Sequence, residues 1–234
     1  MIAVAGGKGG SGKTTTTVGV ARALARRGAP VVAADADWDL PNLAAMATGQ
    51  VGRSSTPQNP GGHVALPGVA ARVDGVASDG VPLPADRSEP TVLAAPEHPR
   101  TVDARRTFDA LKRATPAERP LLVDCPAGAA PDAAAPLRAA DRSVLVTPLR
   151  KPALRDAAKT AAVARRLDCR PIGVVVTRAQ SVPDAIVELL GCPVLGRIPP
   201  APPDPLSDPD VASAYDAVVD RLVEEHGHGR WRVA

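Results

Sequence analysis

The chain has 234 residues, a formal net charge of +3 and a pI near 9.0, a length that suits one α/β domain with a full core and a balance too weakly basic to require a nucleic-acid partner. Aromatic residues make up 2% of it, as Trp38, Phe108, Tyr215 and Trp231, too few for a surface that stacks the bases of a single strand. Cys125, Cys169 and Cys192 lie far apart with no Cys-x-x-Cys or Cys/His cluster, which argues against a disulfide framework or an iron–sulfur site and fits a reducing compartment.

Ile2 to Ala5 reads as a short buried strand, and Thr15 to Arg27 as a helix with Val18, Val20, Ala21, Leu24 and Ala25 apolar. Between them, residues 6 to 15 read Gly-Gly-Lys-Gly-Gly-Ser-Gly-Lys-Thr-Thr. Gly7, Gly12, Lys13 and Thr14 meet the spacing G-x-x-x-x-G-K-T of a phosphate-binding loop. In such a loop the backbone at Gly7, Gly9, Gly10, Ser11, Gly12 and Thr15 wraps the phosphates, Lys13 neutralises their charge, and the Thr14 hydroxyl ligates Mg²⁺. A strand running through a glycine-rich turn into a helix N-terminus also aims fixed positive partial charge at an anion. Lys8, a second lysine inside the loop, is one that an ordinary phosphate loop does not need.

Val31–Ala34 is the next strand, and it runs into Asp35-Ala-Asp37-Trp-Asp39. Acidic groups at a strand's end beside a phosphate loop can hold Mg²⁺ and orient water. The stretch 49–90 is rich in Gly, Pro and Ser and reads as a long irregular insertion, with a short helix near Val69–Val73. Thr91–Ala95 is a strand and Thr107–Ala114 a helix. Leu121–Asp124 is an apolar strand ending in an aspartate, the form of a Walker B carboxylate that holds Mg²⁺, usually through water. Cys125 after it reads as packing, with no histidine nearby in sequence to activate it.

Asp132–Ala140 (helix), Ser143–Thr147 (strand), Pro152–Leu167 (helix), Ile172–Thr177 (strand), Val182–Leu190 (helix), Val194–Ile198 (strand) and Asp210–Glu225 (helix) complete the alternation. Lys151, Arg155, Lys159, Arg165 and Arg166 make one helix basic, either as a solvated face or as contacts to DNA phosphates without sequence preference. The tail from about residue 226 reads as flexible, with only Trp231 and Val233 as large apolar groups, too little for an amphipathic anchor; His226 and His228 read as exposed, not as metal ligands. With the first strand at Ile2 no leader peptide fits, and no apolar run nears the ~20 residues of a spanning helix, so a cytoplasmic protein without membrane contact is expected. Near-continuous apolar strands alternating with helices predict a single domain, 1–234, built as a doubly wound, mostly parallel sheet with helices on both faces. Ligands in such sheets bind at the carboxyl ends of the strands, where the motifs above fall.

The run Lys8-Gly-Gly-Ser-Gly-Lys13-Thr14 resembles the deviant Walker A motif of the ParA/MinD superfamily of P-loop ATPases. The resemblance implies that Lys8 reaches across a dimer interface to the nucleotide of the other subunit. Asp35-x-Asp37 followed by Asn42-Leu43 looks like the first switch of the MinD branch, which implies that Asp37 positions the attacking water and that Asp35 lies near the metal's outer shell; Asp39 receives no role. Asp124-x-Pro126-Ala127-Gly128 is similar to the second switch, which implies that the Gly128 N–H senses the γ-phosphate. Arg155-Asp156 resembles a pair whose aspartate contacts the signature lysine in one nucleotide state; pairing of Asp156 with Lys159 or Arg155 on the helix surface is the other reading. Thr177-Arg178 stands where the family usually has Asn-Arg, and a hydroxyl cannot repeat the bidentate contact by which that amide reads adenine. Val194-Leu-Gly-Arg-Ile198-Pro199 is similar to the family's stretch that packs near the base.

The function implied is an ATP- and Mg²⁺-dependent switch, a homodimer in the ATP state and a slow hydrolase stimulated by an unknown protein partner, serving spatial regulation of cell division or positioning of cellular structures. Two alternatives stand beside it: a ParA-like DNA segregation ATPase, and a nucleotide-binding scaffold that does not hydrolyse. A small-molecule P-loop kinase or amidoligase ranks last, since it would not need Lys8.

Overall fold

The computed structural model describes residues 1–7, 9–49, 69–76, 81, 89–128, 131–201 and 203–226. Lys8, most of the 49–90 insertion and the tail from 227 lie outside the described residues. Along the chain run β1 (Ile2–Gly6), α1 (Lys13–Arg26), β2 (Val32–Asp35), α2 (Leu43–Ala47), β3 (Val69–Arg72), β4 (Thr91–Ala94), α3 (Ala104–Ala114), β5 (Leu121–Asp124), α4 (Pro131–Ala139), β6 (Arg142–Pro148), α5 (Lys151–Arg166), β7 (Arg170–Thr177), α6 (Ala185–Leu190), β8 (Val194–Ile198) and α7 (Pro209–His226). The strands form one sheet in the order β3-β4-β2-β5-β1-β6-β7-β8. Every pairing among the described residues is parallel, so the expected doubly wound sheet is present.

The apolar runs are near-continuous because both faces are covered. On one face Ile2, Ala33, Leu122, Val144 and Val175 pack with α1, α2 and α7. Their chain neighbours point the other way: Val32, Leu121 and Val123 pack with Phe108 and Leu111 of α3, Leu145, Val174 and Val176 with α5 and α6, and Ala3 and Ala5 with Leu137 and Ala164. Strand pleating explains the division, since successive side chains alternate sides. β1 lies between β5 and β6; the chain leaves it toward the β3 edge and later passes over it from β5 to β6, on toward the β8 edge, so the winding reverses around β1 and a cleft opens at its carboxyl end.

Two expected elements are corrected. Val69–Val73 is not a helix: β3 pairs with the open edge of β4, Val69 opposite Val92 and Arg72 opposite Ala94, and pairing outweighs the weak helical preference of so short a run. The helix expected from Val182 begins at Ala185, because Pro183 pushes the residue before it out of the helical region. The five-residue α2 carries too little periodicity to be read from sequence.

α7 seals the β8 end of the sheet. Its inward residues Val211, Tyr215, Val218, Val219 and Leu222 recur at helical spacing and are fully buried. Glycines opposite permit the close approach: a Cβ on Gly19 of α1 would overlap the Tyr215 ring carbons, and one on Gly196 of β8 would lie 2.5 Å from Val218 Cγ2. Arg26–Asp216 at 2.7 Å and Arg27–Asp220 at 2.6 Å join the same helices at the surface. Pairs so exposed contribute about 0–1 kcal/mol each, so the apolar seam decides the docking.

Gly19→Ala is therefore expected to destabilise the protein by about 1–3 kcal/mol through overpacking against Tyr215. Tyr215→Phe, which loses only the 3.3 Å contact between its hydroxyl and Thr16 Oγ1, should cost about 1 kcal/mol or less. Urea denaturation of the two variants checks both the order and the size.

Candidate functional site

β1 ends at Gly6, and the loop that follows returns to the helix at Lys13. Gly10 (φ 75°) and Gly12 (φ 94°) hold left-handed backbone that a side chain would strain. Gly12 caps α1 without a side-chain hydrogen bond, so the first N–H groups of this 14-residue helix stay directed at the loop. Lys13 is buried at the base of the loop. Asp156 of α5 stands behind it, such that a Cβ on Gly7 would lie 2.5 Å from Asp156 Cβ. Lys159 Nζ approaches Asp156 Oδ1 at 3.6 Å, while the expected contact with Lys8 falls outside the described residues.

Asp124 ends β5, next to β1. Its Oδ1 accepts from Thr17 Oγ1 at 3.1 Å. Its Oδ2 is buried with no hydrogen-bond partner among the described residues, as is the Oγ of Ser11 in the loop. Burial pushes the Asp124 carboxyl up to about 6, against the pull of the Thr14 hydroxyl, Lys13 and Thr17. These are hard oxygen donors, and they fit a Mg²⁺ ion carried in with a phosphate, which takes one or two carboxylates and a hydroxyl from the protein. Among the described residues no cluster of three or more His, Cys, Asp or Glu could hold a metal ion.

Asp35 ends β2 and lies in register with Asp124 on the neighbouring strand. Both of its oxygens face the backbone of its own loop: Asp37 N–H donates to Oδ1 at 3.0 Å and Leu43 N–H to Oδ2 at 3.0 Å. Burial, with Asp124 beside it, raises its pKa to about 7 despite those two bonds. The geometry thus makes Asp35 the pin of the acidic loop. Asp37 is half-buried, and its pKa is raised by burial and held back by the Leu40 N–H and by Lys13. Trp38 Nε1 donates to Asp35 O at 3.0 Å, and its ring meets Phe108 of α3 at 5.5 Å between centroids. Asp39 is exposed. On the β5 side, Gly128 (φ 89°) donates its N–H to Gly7 O at 2.9 Å. The N–H expected to face a γ-phosphate is therefore engaged with the phosphate loop itself in this structure.

Residues 2–203 match the sequence profile of the CobQ/CobB/MinD/ParA nucleotide-binding domain. The chain belongs to this family. It is 32% identical over 218 residues to an uncharacterised ATP-binding protein of Methanocaldococcus jannaschii, covering 86% of this chain and 74% of that protein. It is 27% identical over 213 residues to the septum site-determining protein MinD of Synechocystis, covering 85% and 75%. Among solved structures, the cell division ATPase MinD of Pyrococcus furiosus superposes with a TM-score of 0.75 at 24% identity, covering 95% of this chain and 98% of that one. A MinD structure from Pyrococcus horikoshii, complexed with Mg-ADP, gives 0.75 at 22% identity over 97% and 96%. The ParA/MinD resemblance of the motifs is thus matched by both sequence and fold.

The other expected residues of this family member fall around the same cleft. Thr15, Thr177, Arg178 and Pro199 line a pocket beside Gly12. Gly9 and Ser11 line a second, on the α5 side of the loop, with Arg150 and Asp156. Lys151, Arg155, Lys159 and Arg166 are exposed on α5, whereas the guanidinium of Arg165 is drawn onto Leu190 O and Gly191 O at the end of α6. Sequence reasoning gave no role to Thr17 or Trp38. Thr17 lies one helical turn beyond Lys13, so its position on the sheet-facing side was readable; nothing in the sequence links Trp38 to Phe108.

Asp35 and Asp124 bind protons more tightly in the folded chain than in the unfolded one. Between the ordinary carboxyl value of 3.8 and about 7, the folded state holds more protons, so stability of the nucleotide-free protein should fall as pH rises through that window and level off above it. Thermal melts from pH 5 to pH 8 check the sign. Asp35→Asn should flatten the upper part of the curve. At pH 8 it should also lose about 1–3 kcal/mol, because an amide NH₂ would face one of the two N–H donors.

Proposed function

We propose that this chain is an ATP-gated switch of the MinD/ParA kind, a slow ATP hydrolase that closes into a homodimer and is stimulated by a partner protein. Its service is the placement of a division site or another cellular structure. The observation that carries the reading is the contact of Gly128 N–H with Gly7 O: among the described residues, the loop at the end of β5 meets the phosphate loop through this backbone bond, which a γ-phosphate oxygen can replace. MinD of Synechocystis is a septum site-determining protein, and the solved neighbours include a MinC:MinD complex from Aquifex aeolicus and an ATP complex of a Cyanothece McdA variant.

In this reading the N–H groups of residues 9–15 and the Lys13 ammonium hold the phosphates, and Thr14 and Asp124 hold Mg²⁺, with Asp35 behind them. ATP supplies the phosphoanhydride bond and the charge of its terminal phosphate. Asp37, at the mouth of the cleft, orients the attacking water. Lys8 completes the site of the second subunit and offsets charge in the transition state, as a cation supplied in trans does. Order and disorder of the loops at Asp37 and Gly128 then report the nucleotide state.

Size exclusion with light scattering, in Mg²⁺ with ADP or ATP, is the test. The wild type should dimerise in ATP alone, Lys8→Ala should stay monomeric, and Asp37→Ala should remain a dimer while hydrolysis falls by about 10²-fold. A wild type that stays monomeric in ATP makes Lys8 a plain loop lysine and moves the scaffold and kinase readings ahead.

A second reading, DNA segregation, draws on the exposed stripe of Lys151, Arg155, Lys159 and Arg166 on α5. It expects ATP-dependent binding of random duplex DNA that weakens steeply with salt and is lost on replacing Arg155 and Lys159 by Glu. DNA binding untouched by that change, or absent from the wild type, leaves the stripe as a solvated face.

A further inference from the structure

The pocket beside the phosphate loop has a volume of about 230 Å³. Three of its four polar side chains make a hydrogen bond away from the pocket, and the fourth, Thr15, carries a hydroxyl that can donate or accept and so serves an amino or an oxo group alike. Thr177, at the end of β7, donates its hydroxyl to Ser11 O at 2.8 Å and is buried. Its neighbour Arg178 donates to Gly10 O. The Tyr215 hydroxyl pairs with Thr16. The facing wall is Ile198, Pro199, Ala201, Pro203 and Pro205, aliphatic or proline, and the prolines bring no N–H.

Two successive residues of β7's end therefore hold two successive carbonyls of the phosphate loop. The Thr177 methyl lies 3.1 Å from where a Cβ on Gly12 would stand, so the contact is close as well as polar. Gly10 and Gly12 are the left-handed positions at which the loop turns its peptide planes. Fixing the carbonyls of Gly10 and Ser11 outward leaves the N–H groups on the concave, anion-facing side. Arg178 itself has φ 53°, a conformation that costs a non-glycine residue free energy and is kept here where it carries the guanidinium onto the loop.

We infer that Thr177 and Arg178 are positioning residues for the phosphate loop, and that the pocket beside it is a purine slot with little choice between an amino-purine and an oxo-purine. The inference rests on the nucleotide reading above. Strong discrimination between such bases requires buried donors and acceptors set against the base edge, which go unpaired when the wrong base enters. Thr177 is turned to the loop, and the opposite wall offers apolar area on which either purine can lie.

The test is displacement of a ribose-labelled fluorescent ATP, in Mg²⁺, by ATP, GTP, ITP and inorganic tripolyphosphate. For the wild type, ATP and GTP should compete within about tenfold of one another. Thr177→Val keeps the shape and removes the hydroxyl, and should weaken all four competitors by one common factor of about five to ten, the worth of one hydrogen bond. Thr177→Ser should restore them. Arg178→Ala, an exposed change that leaves the core alone, should show the same base-independent loss. A preference for ATP over GTP beyond about 10²-fold overturns the slot. A loss in Thr177→Val confined to one base, with tripolyphosphate unmoved, overturns the positioning role. A wild type that binds tripolyphosphate and no nucleotide overturns the nucleotide reading and this inference with it.

Discussion

The site depends on two carboxyl groups, Asp35 and Asp124, held in register at the ends of neighbouring buried strands. Burying either one is unfavourable, and burying them side by side more so, since each disfavours ionisation of the other. The fold compensates with what lies around them: the Thr17 hydroxyl on Asp124, two backbone N–H groups on Asp35, and Lys13 nearby. The uncommitted Oδ2 of Asp124 suits a divalent cation, while Lys13 and the N–H groups of the loop suit a phosphate. On the switch reading, binding of the cation relieves the repulsion between the two carboxyls, and that free energy is available for moving loops.

Keeping those carboxyls in place is the task of the sheet. β1, β2 and β5 are buried on both faces, so neither a register slip nor a tilt is possible without exposing aliphatic side chains on one side. The cost is that each covering helix must lie close. Gly19 and Gly196 are where α7 meets that demand, and Tyr215 transmits it, since the ring that fills the notch over Gly19 also borders the pocket beside Gly12. Packing at the β8 end and geometry at the phosphate loop are thus parts of one continuous contact.

Much of this was legible in the sequence. The glycine-rich turn between an apolar run and a helix carries its own geometry, because G-x-x-x-x-G-K-T has few physical uses. The strands at Leu121–Asp124 and Val194–Ile198 could be read to the residue, since both are short apolar runs bounded by proline or glycine nearby. β3 could not, because Val69–Arg72 is a strand only by virtue of β4's open edge, a long-range fact. The role of Asp35 was only half legible. The family resemblance implied a place near the metal's outer shell, but which way its oxygens turn depends on where Leu43 returns, and that is set by the burial of Leu43 under the sheet. Likewise a threonine at the end of β7 says nothing of whether it faces a ligand or the loop until both Gly10 and Gly12 have taken their left-handed turns.

The two acidic loops differ in how firmly they are held, and the difference assigns them different parts. The first is tied at three points: two N–H bonds to the buried Asp35 carboxyl, of the kind worth about 1.5–3 kcal/mol when the acceptor is charged, and Trp38 against Phe108. What remains free between those ties is the crest from Asp39 to Asn42, where Leu40 is 75% exposed. Among the described residues, the second loop, at Gly128, meets the phosphate loop through a neutral backbone bond, worth about 0.5–1.5 kcal/mol net. A single charge-assisted bond to a phosphate oxygen outweighs that, while it does not outweigh the three ties of the first loop. On the switch reading proposed above, the second loop is therefore the part that moves first with nucleotide state. The first keeps its base at Asp35 in place, so on that reading what a nucleotide reorders in it is the Asp37 side chain and the exposed crest from Asp39 to Asn42.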